Sequence, residues 1–411
     1  MAHELVLGLG GTVDFEVAWD ATGLEELARR TGIRLADFDA GVPIEDERSL
    51  LCSILAFVRD GVGGERFIAS SDLATSFASR FPTKVTLGGT CVRAALAIAR
   101  LGVPSLVHLV SIDENVRRLL PPAVDYLCSA TQDSLDPHLI IQFPAGATVR
   151  LGDGEVRAEH PNRIIYVNDP PNRDLVLSPR LPDALAGARA FLPSGFNVMR
   201  DPALLRERLR FLSDAMARLP VVALAFYEDA GFHDNAMRAI VSAEFRGRID
   251  VHSLNEDELQ SYLGRRVDLL DVDDVGEALA GFRRFAIAPT VVVHTKYWSL
   301  AHGDHAAAFV DALAGGIDLA STRYCYGDDF TPADLRTVRG LPRHPGGSAF
   351  AVRIGDRLGD QVRCVPGRLL EVAAPTTIGL GDTFVGGFLA AHVGGQGWAE
   401  NGLATSEGAS C

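Results

Sequence analysis

The stretch "RIDVHSLNEDELQSYL", residues 248–263, with "APTVVVHTKYW" after it at 288–298, decides the fold class. Each holds a short β-branched apolar run, and the first passes directly into a polar segment built for a helix. Between them "VGEALAGFRRF" (275–285) carries apolar residues at helical spacing. Strand, helix, strand at this rhythm is a βαβ unit with parallel strands, because the crossover helix returns the chain to the end it left. The alternation extends outward. "ARAFLPSG" (188–195) and "PVVALAFYED" (220–229) supply strands, while "PALLRERLRFLSDAMARL" (202–219) and "HDNAMRAIVSAEF" (233–245) supply helices. Near the start, "ELVLGLGG" (4–11) and "PSLVHLVS" (104–111) flank the helix "TCVRAALAIARLG" (90–102). The pattern predicts an α/β protein with a mostly parallel sheet.

Two regions break the pattern. Residues 15–75 are acidic, helical and loop-like, whereas 131–185 read as short strands joined by glycine turns. The expected division is a large α/β core from 1–14, 76–130 and 186–411, and a smaller strand-rich lid from 15–75 and 131–185.

With 411 residues, 47% hydrophobic and 22% charged, the chain has ordinary globular composition. Its net charge of −14 argues against nucleic acid or an anionic membrane surface as partner. The six cysteines form no CxxC pair and have mostly apolar neighbours, so buried or incidental thiols are expected. No basic leader precedes the first apolar run, and no run approaches the ~18 apolar residues of a membrane span, so a cytoplasmic location is expected.

Ligands in an open α/β sheet bind beyond the carboxyl ends of the strands, so those ends carry the chemistry. The first strand runs into "GLGGTVD" (8–14), where Val13 stands in place of the third glycine of a dinucleotide fingerprint. A GxxxxGK[ST] phosphate loop occurs nowhere. Asp14 is then either a grip for a hydroxyl-rich ligand or a solvated turn residue. "HSLNEDELQSYL" (252–263) offers Asn255 and Glu258 at a strand-to-helix junction, with Glu228 ending the preceding strand. Carboxylates at neighbouring strand ends could hold hydrated Mg2+ through its waters, or could serve the helix dipole alone. In "TTIGLGDTFVGGFLAAHV" (376–393), Gly379, Leu380 and Gly381 let backbone N–H groups converge at a helix start. Asp382 beside them either accepts a proton from an incoming hydroxyl or caps the helix.

Together and in order these motifs resemble the ADP-dependent sugar kinases, the glucokinase and phosphofructokinase group of the ribokinase-like superfamily. "GLGGTVD" stands where that family has its sugar-binding N-x-N-x-D stretch. "DGVGGERFI" (60–68) is similar to its glycine loop ending in glutamate, and "LGGTCVRAA" (87–95) to its GGN/GGQ turn. "HLIIQFPAG" (138–146) and "HPNRIIYVND" (160–169) look like its lid strands, and "TTIGLGDTF" (376–384) like its catalytic turn. The resemblance implies a ribokinase-like three-layer core with a lid, an ADP donor released as AMP, and Mg2+. Asp382 is implied as the base, and Gly379, Leu380 and Gly381 as the anion hole. Glu228 and Glu258 are implied at the metal, and Asn255 and His294 on the nucleotide side. Asp14, Glu65, Gly89 and His138 are implied to face the sugar, and Arg163 to meet phosphate from the lid.

The polar set around the acceptor departs from the family. Gly10 and Thr12 replace two asparagines, Thr90 stands for Asn or Gln, Gln142 for a lid glutamate, and Phe226 for the histidine of HxE. A site that reads hydroxyls by hydrogen bonds discriminates strongly, so these losses imply a changed or weakened acceptor. The expected function is phosphoryl transfer from a nucleotide to a sugar or sugar-phosphate hydroxyl. The alternatives are an ATP-dependent ribokinase-like kinase of another polyol or nucleoside, and a non-catalytic sugar- or nucleotide-binding relative.

Overall fold

In the computed structural model of this chain, residues 3–395 are described, except 233, 373–375 and 377. The strands in chain order are β1 (Leu5–Leu7), β2 (Thr12–Val17), β3 (Gly64–Phe67), β4 (Thr83–Gly88), β5 (Ser105–Leu109), β6 (Val124–Cys128), β7 (His138–Phe143) and β8 (Thr148–Leu151). They continue as β9 (Gly154–Arg157), β10 (Asn162–Val167), β11 (Ala190–Leu192), β12 (Leu224–Glu228), β13 (Val251–Asn255), β14 (Thr290–His294), β15 (Trp298–Gly303) and β16 (Val362–Pro366).

Nine strands make one sheet in the order β16-β15-β14-β13-β12-β11-β1-β5-β6. From β6 to β14 every pairing is parallel, and β15 and β16 add an antiparallel edge. Both faces are covered, which is why the strands are apolar without alternation. Leu5 and Leu7 pack with the helices Thr90–Ala99, Val310–Tyr326 and Leu380–Gly394 on one face. Val6, one residue out of phase, packs with Pro202–Met216 and Asn235–Phe245 on the other. The sheet is thus the middle of three layers, as the sequence implied. The order reverses at β1, with β5 on one side and β11 on the other, and this opens a crevice at the strand ends.

The five-stranded sheet β3-β10-β7-β2-β4 has a separate core. Leu139, Ile141, Phe143, Ile164 and Tyr166 bury one of its faces beneath the helices Ala21–Thr31 and Glu47–Asp60. One strand lies elsewhere than expected: β4, within the 76–130 segment assigned to the core, is an edge of this smaller sheet. It returns antiparallel along all of β2, from Thr12 opposite Gly88 to Val17 opposite Thr83, so β2 and β4 cannot belong to different sheets.

Three helices fix the opening turn of the last of them. A side chain on Gly386 would place Cβ 2.7 Å from the Ala94 carbonyl, and one on Gly387 would place it 2.5 Å from the Gly315 carbonyl. The two glycines let Leu380–Gly394 lie directly on its neighbours.

Candidate active site

Strand register gathers one half of the site. Across β2, β7, β10 and β3, Asp14 pairs with His138, Gln142 with Arg163, and Ile165 with Glu65. Paired side chains share a face and alternate ones return to it, so Asp14, Glu65, His138 and Arg163 all project from one side of the smaller sheet. That side turns toward the core. At one edge Lys84 Nζ meets Asp328 at 3.0 Å, and at the other the Arg200 guanidinium sits 3.4 Å from the Phe67 ring centroid.

The core supplies the other half. At the ends of β12 and β14, Glu228 and His294 form a buried pair, Nε2 to Oε1, at 2.9 Å. The second carboxylate oxygen of Glu228 is buried, with no partner among the described residues. Asn255 ends β13 and caps the next helix, accepting N–H bonds from Asp257 and Glu258 at 2.8 and 2.9 Å. Glu258 closes a capping box by accepting the Asn255 N–H at 2.9 Å. Burial, with Glu228 and Asp229 nearby, pushes the Glu258 carboxyl well above the usual carboxylate range. Among the described residues no three metal-ligating side chains converge closely enough to hold an ion directly.

Asp382 is not the cap. Gly379, at φ 67° in the left-handed region, is the N-cap of Leu380–Gly394, and Asp382 occupies the third helical position. Among the described residues no hydrogen bond or ion pair reaches its carboxylate. A Cβ on Gly381 would lie 3.5 Å from the His294 ring, and that ring stacks on Phe384 with centroids 4.4 Å apart. The turn and the Glu228 cluster are therefore neighbours. Thr377, the threonine expected before the turn, lies outside the described residues.

Around Asp382 the charges are mostly positive. Arg323 donates to the Gly379 carbonyl at 3.3 Å, to the Thr383 hydroxyl at 3.2 Å and to Asp328 at 2.6 Å. Desolvation and the charge of Arg93 push the Arg163 pKa down, and the charge of Asp382 opposes them. Arg93 itself donates to Asp14 at 2.6 Å, with both side chains buried. The other Asp14 oxygen accepts the Thr12 hydroxyl, also at 2.6 Å.

His138 lies 3.1 Å from Asp169, and Asp169 also holds Asn172, which reaches back to the Gly11 carbonyl at 2.9 Å. Burial works against a charged His138, but the bond to Asp169 and the charges of Asp169, Asp14 and Glu65 outweigh it and raise the pKa. Gly89, at φ 87°, lets its turn cross Gly11, where a Cβ would come within 3.1 Å of backbone. Phe226 packs on Phe388 with centroids 4.8 Å apart.

Sequence reasoning passed over Arg93, Arg323 and Asp169. The signal for Arg93 is a lone arginine in an otherwise apolar helical run, whereas Arg323 shares its helix with Asp311, Asp318 and Thr322 and has no such signal. Asp169 carries a weaker one, an N-cap before two prolines. Cys52 and Cys91 are buried and the other described cysteines partly so, all unbridged, while Cys411 lies outside the described residues. Among the described residues no helix is long and apolar enough to cross a membrane.

The model of the ADP-specific phosphofructokinase/glucokinase conserved region matches residues 3–274, more than half of the chain. The chain belongs to that family. The matched span ends before the Gly379–Asp382 turn. A phosphofructokinase from Pyrococcus horikoshii OT3, solved with AMP, superposes with a TM-score of 0.76 at 17% identity, covering 95% of this chain and 98% of its own. An ADP-dependent kinase in complex with fructose-6-phosphate and ADPbetaS gives 0.69 at 12% identity over 96% and 94%. Trypanosoma brucei brucei adenosine kinase, more distant within the ribokinase-like fold, gives 0.51 at 12% over 98% and 97%. No match was found among curated protein sequences. As a member of the ADP-specific phosphofructokinase/glucokinase family, the chain is a sugar phosphotransferase.

Proposed function

We propose that this sugar kinase is Mg2+-dependent and moves the terminal phosphoryl group of ADP to a hydroxyl of a sugar or sugar phosphate, releasing AMP. The observation that carries the reading is Asp382: a carboxylate without a hydrogen bond or ion pair among the described residues, in the first turn of a helix opened by Gly379, with Arg323 and His294 at that turn. Phosphoryl transfer to an alcohol needs positioning, charge neutralisation and one base, and little covalent work from the protein.

The acceptor lies against the smaller sheet near Asp14, Glu65, Gly89 and His138, and its hydroxyl gives its proton to Asp382. The amides of the Gly379–Gly381 turn and Arg163 bind the oxygens of the group in transfer. His294 and Asn255 border the nucleotide. The orphaned Glu228 oxygen and the raised Glu258 carboxyl fit a cation held through its waters, and Mg2+ there would neutralise phosphate charge. In this reading the smaller sheet, from 15–75 and 131–185 with β4, is a lid whose closure excludes water as a competing acceptor.

The test is a product assay with Mg2+ that crosses ADP and ATP against glucose, fructose 6-phosphate and a sugar panel, with Asp382→Asn as control. AMP and a phosphorylated sugar formed with ADP, and lost in the control, support the reading. Turnover with ATP alone replaces ADP as the donor. Tight nucleotide binding without turnover on any acceptor marks a binding protein and overturns the proposal.

A further inference from the structure

Arg93 is a buried cation of the crevice with no part in the scheme above. It stands in the first turn of Thr90–Ala99, where its helix neighbours Cys91, Val92, Ala94 and Ala95 are buried and apolar or nearly so. A guanidinium only 7% exposed is costly to desolvate unless its donors are used. Here one nitrogen is used: Nη2 donates to Asp14 at 2.6 Å and lies 4.0 Å from Glu16. Among the described residues Nε and Nη1 donate to no protein acceptor. Those free donors border the catalytic turn, for a Cβ on Gly379 would come within 3.1 Å of Nη1 and 3.0 Å of Cδ.

Asp14 completes the picture. Its oxygens are taken by Thr12 and Arg93, so it works as an anchor more than as a reader of sugar hydroxyls. Burial pulls the Arg93 pKa down, but the charges of Asp14 and Asp382 outweigh it and raise it. A planar fork with free N–H groups beside an anion hole matches phosphoryl oxygens better than a neutral hydroxyl.

We propose that Arg93 is a further catalytic residue whose free N–H groups bind oxygens of the phosphoryl group in transfer, with Asp14 as its anchor. The inference rests on the kinase reading. In the step it serves, the acceptor oxygen forms a bond to the terminal phosphorus of ADP as the bond to the bridging oxygen breaks. AMP leaves with that electron pair, and the acceptor proton passes to Asp382. Arg93 donates hydrogen bonds throughout and transfers no proton.

Changing Arg93 alone would strand a buried Asp14, so the test variant is the double change Arg93→Met with Asp14→Asn, checked for folding by thermal melting. Relative to Asp14→Asn alone, loss of a transition-state guanidinium is expected to lower kcat by about 10³-fold or more, with both KM values shifted far less. Guanidinium added to Arg93→Ala/Asp14→Asn should raise kcat at least about tenfold, and ammonium should not. A purely structural Arg93 would instead raise the acceptor KM and leave kcat within about threefold, which overturns the proposal. Inorganic phosphate binding reads the same donors without turnover. Its Kd should rise about tenfold or more in the double variant, and an unchanged Kd also overturns the proposal. A wild-type enzyme silent on every acceptor would sink the kinase reading, leaving Arg93 to be decided by the phosphate titration.

Discussion

Replacing Asp382 with asparagine separates a working carboxylate from a structural one. Shape and size are kept and the charge is lost. Because Gly379 is the cap and Asp382 makes no hydrogen bond among the described residues, the change breaks no capping contact. The stability at stake is the attraction of a third-position carboxylate to the helix N-terminus, about 0.3–1 kcal/mol. Weaker attractions to Arg93, Arg163 and Arg323 across solvent-accessible space add to it. In a chain of this length a loss of about 1 kcal/mol moves Tm by roughly 1–2 °C. The rate has more to lose: a general base contributes about 10²–10⁴-fold. The assay pairs initial rates of sugar-phosphate formation at saturating ADP and acceptor with a melting curve on the same preparation. We expect kcat to fall by at least about 100-fold at nearly unchanged Tm and ADP affinity. A kcat within tenfold of wild type would refute the assignment. So would a Tm drop of several degrees, because the carboxylate would then be holding the turn together.

Other consequences follow from neighbouring parts of the molecule. Glu228→Gln removes charge from a buried oxygen that lacks a partner, and the Mg2+ concentration for half-maximal rate should rise about 10-fold or more; an unchanged Mg2+ titration excludes Glu228 from the ion's surroundings. Gly387→Ala forces a methyl to within 2.5 Å of the Gly315 carbonyl and should cost about 1–3 kcal/mol by urea unfolding. Gly355→Ala, with nothing within 4 Å, should instead be neutral or stabilising by up to about 1 kcal/mol. His108 is buried, accepts the Ser178 N–H at 2.9 Å, and has its pKa pushed down to about 4 by burial. The unfolded chain protonates this residue near its ordinary 6.5 while the fold resists until about 4. Its contribution is therefore intact above pH 6.5 and lost as pH falls toward 4, by roughly 3 kcal/mol. His108→Gln should flatten that part of the stability–pH curve relative to wild type.

Much of the architecture was legible because it depends on short-range patterns. β-branched runs alternating with helical periods announced the parallel sheet, and the glycine-punctuated 131–185 region announced the second sheet, since period and turn chemistry are written locally. Register also has a local cause: Asp14, His138 and Arg163 share a face because each sits at the right parity within its own strand.

What the tertiary structure decided was pairing at a distance. The chain alone left Asp382 as base or cap, and the fold removes the cap, because Gly379 in its left-handed conformation takes the N-cap position. β4 lies in the smaller sheet because β2 offers it a full-length partner, which no property of residues 83–88 announces. Arg93, passed over in the sequence, gains its meaning only because β2 brings Asp14 to within 2.6 Å of it. The physical reason is common to all three. Periodicity and propensity act over a few residues, whereas a buried charge is tolerated only where the fold delivers its partner from far along the chain.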